Sequence, residues 1–156
     1  MSQLLDAIAG VPNACEPLPG LVVGGQPQPQ HIAALKRAGC EVVLDIREAM
    51  EPQPIRVPAD IEAAGIEYIS IPVGHSWGSD ATLARIRETV KGLVDKQRKA
   101  LVYCSSGNRV GAMLIPYLML DRGLEQENAV QTAMRCGMRS AELMEWALEY
   151  VKRLGG

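Results

Sequence analysis

The chain has 156 residues, 47% of them hydrophobic, and its formal net charge is −2 with both signs mixed along its length. This length suits one domain, residues 1–156, with a proper buried core, and the weak charge gives no reason to expect nucleic acid or an anionic membrane as a partner. No stretch approaches the ~20 apolar residues that span a bilayer, and the first residues lack the basic start and apolar run of a secretory signal. We therefore expect a soluble, cytoplasmic protein.

Cysteine and histidine usage points to no metal centre, because none of the cysteine spacings matches a zinc site and the chain has two histidines. No cofactor is predicted. Cytoplasmic cysteines are expected to be free thiols. Cys40 and Cys136 are predicted to be buried core residues, since no spacing argument brings either within disulfide reach of Cys104.

Apolar, β-branched runs alternate with helical patterns in chain order. The predicted strands are 21–24, 41–46, 66–73 and the run that ends at Cys104; the predicted helices are 29–38, about 58–64, about 81–97 with Asp80 as a candidate N-cap, 109 to about 120, 125–136 and 140–153. This alternation predicts an α/β single domain with a mostly parallel central sheet of four to five strands, flanked by helices and ending in a helical part. The core is expected over about 20–153, and the sequence indicates no oligomeric state.

A candidate reactive site follows the last predicted strand. Residues 104–109 read Cys-Ser-Ser-Gly-Asn-Arg and lie between an apolar strand and an apolar helix, at the sheet edge where ligands of parallel sheets bind. The loop amides and the helix N-terminus would stabilise a Cys104 thiolate, and Arg109 would hold an oxyanion with two parallel hydrogen bonds. The alternative is a buried core cysteine with a solvated arginine. The small polar spacer favours the reactive site because it is poor core material.

The same hexapeptide resembles the phosphate-binding loop of cysteine-dependent protein tyrosine and dual-specificity phosphatases, and also the active-site loop of rhodanese-type sulfurtransferases. Residues 25–47 resemble the opening of a bacterial phosphatase-like family whose members occur alone or fused to β-lactamase-like hydrolase domains, and residues 68–73 resemble the strand before the acid loop of dual-specificity phosphatases. This family is described both as phosphatases and as sulfur transferases. The resemblance implies a phosphatase-like α/β fold over about 20–150.

The resemblance also implies a role for each residue of the site. Cys104 would attack phosphorus and form a phosphocysteine, while Arg109 and the loop would bind the phosphate. The expected substrate-binding residues are Ser105, Ser106, Gly107, Asn108, Val110, Arg47 and Asp45. Gly107 leaves room for the anion, and Asn108 is expected to bond backbone groups. For Asp45 and Arg47 the alternative is a structural ion pair at the strand end.

The predicted general acids are His75 and Asp80, in the loop where the family carries an aspartate near position 74 or 75. An exposed loop histidine and a helix-capping aspartate are the alternatives. The substrate would be a phosphorylated protein or a small phosphate ester.

Three departures from the phosphatase pattern leave other functions open. The spacer between Cys104 and Arg109 is one residue shorter than usual, Tyr103 stands where histidine is usual, and Val110 replaces a serine or threonine that assists thiolate departure. The short spacer favours a sulfurtransferase that carries a persulfide on Cys104, and Val110 favours a phosphate-binding module with weak turnover.

Overall fold

The computed structural model describes residues 2–74 and 79–155. In these residues the strands are β1 Cys15–Leu18, β2 Leu21–Gly24, β3 Val42–Asp45, β4 Glu67–Ser70 and β5 Ala100–Tyr103. The helices are α1 Gln3–Ala7, α2 Pro29–Arg37, α3 Ala59–Ala63, α4 Asp80–Asp95, α5 Asn108–Pro116, α6 Gln126–Arg135 and α7 Ala141–Arg153, with a π-helical segment Tyr117–Asp121 after α5. No helix within the described ranges combines the length and apolarity needed to cross a bilayer.

The five strands form one sheet in the order β1-β2-β5-β3-β4. Strand β5 pairs in parallel with β2 on one side and with β3 on the other, and β3 pairs in parallel with β4. Strand β1 lies at the edge, antiparallel to β2. The predicted α/β domain with a mostly parallel sheet is confirmed. Strand β1 was not predicted, because it has four residues, contains Pro17 and pairs with an irregular register.

The core lies on both faces of the sheet, as the apolar strands require. Val23, Leu44 and Val102 face a layer with α4, α5, α6 and α7. Val22, Val43 and Leu101 face a second layer that α1, α2 and α3 complete. Because three neighbouring parallel strands end at one edge, the residues that follow β2, β3 and β5 meet there.

The start of α4 differs from the expectation. Ser79, rather than Asp80, is the N-cap, and its Oγ accepts a hydrogen bond of 3.2 Å from Thr82 N. Asp80 is the first helical residue. Serine and aspartate compete for the cap by the same chemistry, so adjacent positions are hard to separate by sequence.

The expectation of four free thiols is wrong for two cysteines. Cys15 on β1 and Cys136 at the end of α6 form a disulfide across 121 residues of sequence, with 5.4 Å between their Cα atoms. Cys40 and Cys104 are free and buried. The pair escaped prediction because β1 itself was not predicted.

Candidate active site

Cys104 lies between the end of β5 and the first turn of α5, at the carboxyl edge of the sheet. Its side chain is fully buried, and its backbone N–H donates to the Gly24 carbonyl at the end of β2. The Gly107 N–H donates to Cys104 Sγ at 3.1 Å. Gly107 adopts a φ of 101°, which glycine tolerates without strain. The backbone of the 104–109 loop thus directs an amide donor at the sulfur, as the sequence predicts.

Arg109, on the first turn of α5, turns back over the loop. Its Nη1 donates to the Val73 carbonyl at 2.9 Å, and its Nη2 donates to Ser105 Oγ at 3.2 Å. Hydrogen bonds to Glu51 raise the pKa of Arg109 against the opposing effect of burial, and its interaction with Cys104 raises that pKa further. The guanidinium is therefore held against Ser105, the residue that follows Cys104.

Glu51 is a site residue that sequence reasoning missed. Its carboxylate accepts from Arg109 Nη1 at 2.7 Å and from Nη2 at 2.5 Å, and it accepts from Ser105 Oγ at 2.6 Å. Hydrogen bonds from Arg109 lower the pKa of Glu51 to about 2. The ionised carboxylate fixes the plane of the guanidinium. In the sequence, the one indication of this role is that Glu51 lies in the loop after β3. Its partner Arg109 is 58 residues away.

Asp45 and Arg47 are both buried in an ion pair of 2.9 Å. Asp45 Oδ2 also accepts hydrogen bonds from Tyr68 and Tyr103. Arg47 Nη1 donates to the Glu51 carbonyl at 2.8 Å. These contacts correct the expectation that both side chains contact substrate, since their charged groups bind protein groups inside the fold. The structural ion pair is the interpretation that the geometry fits.

Tyr103, which occupies the place of the usual histidine, is part of the same network. Burial raises the pKa of Tyr103, and burial together with the hydrogen bond to Asp45 raises the pKa of Tyr68 to about 12. Both phenols therefore keep their protons and donate to Asp45. The network runs from Tyr103 on β5 through Asp45 and Arg47 to the backbone carbonyl of Glu51, whose side chain holds Arg109.

The structure describes one of the two predicted general acids, Asp80. His75 lies outside the described residues. Asp80 forms an exposed ion pair of 2.6 Å with Arg153 on α7. A third acid lies nearby: a Cβ built on Gly74 would lie 2.8 Å from Glu48 Oε2, so the Glu48 carboxylate fills the space beside Gly74.

The remaining predicted residues shape the loop. Asn108 Oδ1 accepts from the backbone N–H groups of Arg139 at 2.7 Å and Ser140 at 3.3 Å, in line with its predicted backbone bonding. Val110 on α5 is buried in the hydrophobic core, so its side chain packs inside the protein and not at the predicted substrate site. Ser106 is exposed, and its carbonyl accepts from Asn13 Nδ2 at 2.7 Å. Asn13 is a second contact that the sequence did not indicate.

No protein-family model and no curated sequence matches the chain. Solved structures do match it. A Shewanella putrefaciens DUF442 protein, described as a phosphatase candidate, is 20% identical with a TM-score of 0.81 over 97% of this chain and 99% of that one. The chain has the fold of cysteine-dependent phosphatases.

Two further structures support this fold assignment. Tk-PTP in its active form is 21% identical with a TM-score of 0.78, covering 91% of this chain and 97% of that one. Pseudomonas aeruginosa TpbA in complex with pTyr is 19% identical with a TM-score of 0.69, covering 90% of this chain and 83% of that one. The predicted resemblance to the phosphatase fold is confirmed over nearly the whole chain.

Proposed function

We propose that this protein is a cysteine-dependent phosphomonoesterase. The observation that carries the proposal is the Gly107 N–H that donates to the buried Cys104 Sγ, in the same loop where Ser105 Oγ and Glu51 hold the Arg109 guanidinium. A buried sulfur with an amide donor, in a loop that also holds an arginine, suits a nucleophilic cysteine. The phosphatase fold of the chain supports the same reading.

In the proposed reaction, Cys104 Sγ attacks phosphorus, so that an S–P bond forms as the ester P–O bond breaks. The loop amides of Ser105, Ser106, Gly107, Asn108 and Arg109, with the Arg109 guanidinium, hold the phosphoryl oxygens as charge shifts. Water then cleaves the S–P bond and releases inorganic phosphate. Glu51 fixes the guanidinium before substrate arrives, which lowers the ordering cost of the transition state.

The leaving oxygen needs a proton. His75 and Asp80 are the donors proposed from the sequence, and Glu48 joins them because its carboxylate lies beside Gly74. Glu51 does not suit this role, since its lowered pKa keeps it ionised. A donor matters most when the leaving group is a poor one. Glu48→Gln, His75→Gln and Asp80→Asn separate the three candidates: the variant of the true donor loses activity on alkyl phosphates far more than on aryl phosphates.

We propose an aryl or alkyl phosphate monoester, on a protein or a small molecule, as the substrate, and the cytoplasm as the site of action. TpbA, a structural neighbour, has been crystallised with pTyr. That ligand belongs to TpbA, and it motivates phosphotyrosine as the first protein substrate to test here.

The second candidate function is sulfur transfer, which the four-residue spacer between Cys104 and Arg109 favours. One preparation can be assayed for both reactions, with Cys104→Ser as the control. We expect phosphate release from p-nitrophenyl phosphate that this variant abolishes. Thiocyanate formation from thiosulfate and cyanide without phosphate release would replace the phosphatase proposal with sulfur transfer. Phosphate binding without either reaction would reduce it to a binding module.

A further inference from the structure

The peptide group between Ser106 and Gly107 has two partners on opposite sides. Its N–H donates to Cys104 Sγ at 3.1 Å, inside the loop. Its carbonyl accepts from Asn13 Nδ2 at 2.7 Å, outside the loop. A rotation of this one peptide plane would turn the carbonyl oxygen toward the sulfur and remove an amide donor from the anion site. Gly107 does little to oppose this rotation, because glycine populates both signs of φ readily.

The Asn13 amide is oriented by its other partner. Arg139 Nη2 donates to Asn13 Oδ1 at 3.3 Å, and arginine is solely a donor. The Nδ2 group of Asn13 must therefore face the Ser106 carbonyl, which solely accepts. Asn13 itself has a φ of 57°, a left-handed conformation that asparagine tolerates better than most residues. The Arg139 contact and the left-handed backbone therefore both favour the orientation in which Asn13 Nδ2 donates to the Ser106 carbonyl.

The Cys15–Cys136 disulfide lies close to Asn13. Cys15 follows Asn13 by two residues, and Cys136 directly precedes Gly137. A Cβ built on Gly137 would lie 2.9 Å from Asn13 Cβ, and one built on Gly107 would lie 3.1 Å from it. The Asn13 segment is thus packed between two glycines and covalently joined to the turn after α6.

We propose that Asn13 is a positioning residue that keeps the Gly107 N–H directed at Cys104, and that the Cys15–Cys136 disulfide holds Asn13 in that position. Reduction by a dithiol breaks the S–S bond, leaves one S–H on each cysteine, and converts the reductant to its own disulfide. The oxyanion affinity of the 104–109 loop then depends on the redox state of Cys15 and Cys136, neither of which is the proposed nucleophile. Disulfides are rare in a reducing cytosol, so such a pair can report the redox conditions around the protein.

The orientation of the peptide is tested directly with Asn13→Asp. Aspartate tolerates the same φ and still accepts from Arg139, but it places an oxygen where Nδ2 donated to Ser106. We expect hydrogen exchange of the Gly107 amide, followed by NMR, to become about tenfold faster, and phosphate affinity measured by calorimetry to fall about tenfold. Asn13→Gly, which removes the donor without adding a repulsive oxygen, should fall between this variant and the wild type.

This part of the inference rests on the proposed function for phosphate affinity alone, because amide exchange needs no ligand. Unchanged Gly107 exchange in Asn13→Asp overturns the role of Asn13, whatever the phosphate data show. If Gly107 exchange is faster in Asn13→Asp but the wild type binds no phosphate, the positioning role is supported and the proposed function is overturned. A thermal unfolding curve close to that of the wild type separates loss of positioning from general destabilisation.

The disulfide is tested in a Cys104→Ser background, where oxidation of the nucleophile cannot contribute. We expect phosphate affinity to fall several-fold, and Gly107 exchange to accelerate, when dithiothreitol is added. The additional change Cys40→Ser should preserve this response, whereas Cys15→Ser with Cys136→Ser should remove it. Equal exchange rates in the oxidised and reduced forms overturn the redox part of the proposal, and this comparison needs no cysteine variant beyond Cys104→Ser.

Discussion

The 104–109 loop is held from two sides by different chemistry. On the side of β3, a buried ion pair and the Glu51 carboxylate orient the Arg109 guanidinium. On the side of β1, a neutral amide, two glycines and a disulfide orient the backbone that faces Cys104. If the loop binds an anion as proposed, separate structures position its charge and its amide dipoles. Variants can therefore weaken one without the other.

The largest effect is expected on the charged side, from Asp45→Asn. This change leaves the buried Arg47 guanidinium without its anionic partner, and breaking a buried ion pair in this way costs about 3–5 kcal/mol. Urea denaturation gives the free energy of unfolding. Asp60→Asn, which removes an exposed pair with Arg56, is the matched control and should cost about 0.5 kcal/mol or less. Similar losses in the two variants would show that burial of the pair is unimportant.

Arg109→Lys tests whether planar, two-point binding matters beyond charge. Lysine keeps the charge but does not reproduce the paired hydrogen bonds of the guanidinium. If the protein is a phosphatase, we expect kcat/KM for an aryl phosphate to fall about 100-fold, or about 2.7 kcal/mol. Arg87→Lys, at the remote pair with Asp121, should keep full activity. An active Arg109→Lys enzyme would contradict the role given to the guanidinium.

Glu51→Gln probes the same side through pH. The pKa of Glu51 lies near 2, below its ordinary value of 4.5, because Arg109 donates to the carboxylate. The stabilisation from the ionised carboxylate is complete above about pH 4.5 and is lost as the pH falls toward 2. We expect the variant to be less stable by about 2 kcal/mol at pH 7. Its stability should converge with that of the wild type at the acid end, and a constant gap down to pH 2 would refute the assignment.

The smallest effect is expected on the neutral side, as the difference between Gly137→Ala and Gly123→Ala. The new Cβ would lie 2.9 Å from Asn13 Cβ, whereas alanine at Gly123, also at positive φ, meets nothing within 4 Å. Each change should lower the free energy of unfolding by about 1 kcal/mol because alanine resists a positive φ. Gly137→Ala should lower it by about another 1 kcal/mol because of the close contact with Asn13. Thermal unfolding measures both. Equal losses would mean that Asn13 is free to move away from Gly137.

The sequence predicted those parts of the molecule that local patterns determine. Strands β2, β3 and β5 are short, mostly apolar runs, and Cys104 directly follows such a run, so its place at the sheet edge could be inferred. The loop from Ser105 to Asn108 was recognisable because small polar residues between a buried strand and a buried helix have few other uses. Asn108 was correctly expected to bond backbone groups, although not which ones.

What the sequence did not predict depends on contacts between distant residues. Glu51 lies in a proline-rich loop with no hydrophobic period, and its partner is 58 positions away. Asn13 and Cys15 belong to an edge strand and turn that carry no strong propensity, and their partners lie more than 90 positions ahead. Residues Asp45 and Arg47 end a strand at the predicted rim, but burial directs their side chains into a network that periodicity alone does not reveal.

The covalent link between Cys15 and Cys136 spans 121 residues and therefore encloses most of the polypeptide in a ring. A protease that cuts once in the exposed segment around Met50 would leave two fragments joined by this link. The nicked protein would migrate as one species in a denaturing gel until a reductant separates its halves. Electrophoresis with and without reductant thus reads out the state of the bond in a cell extract without purification of the protein.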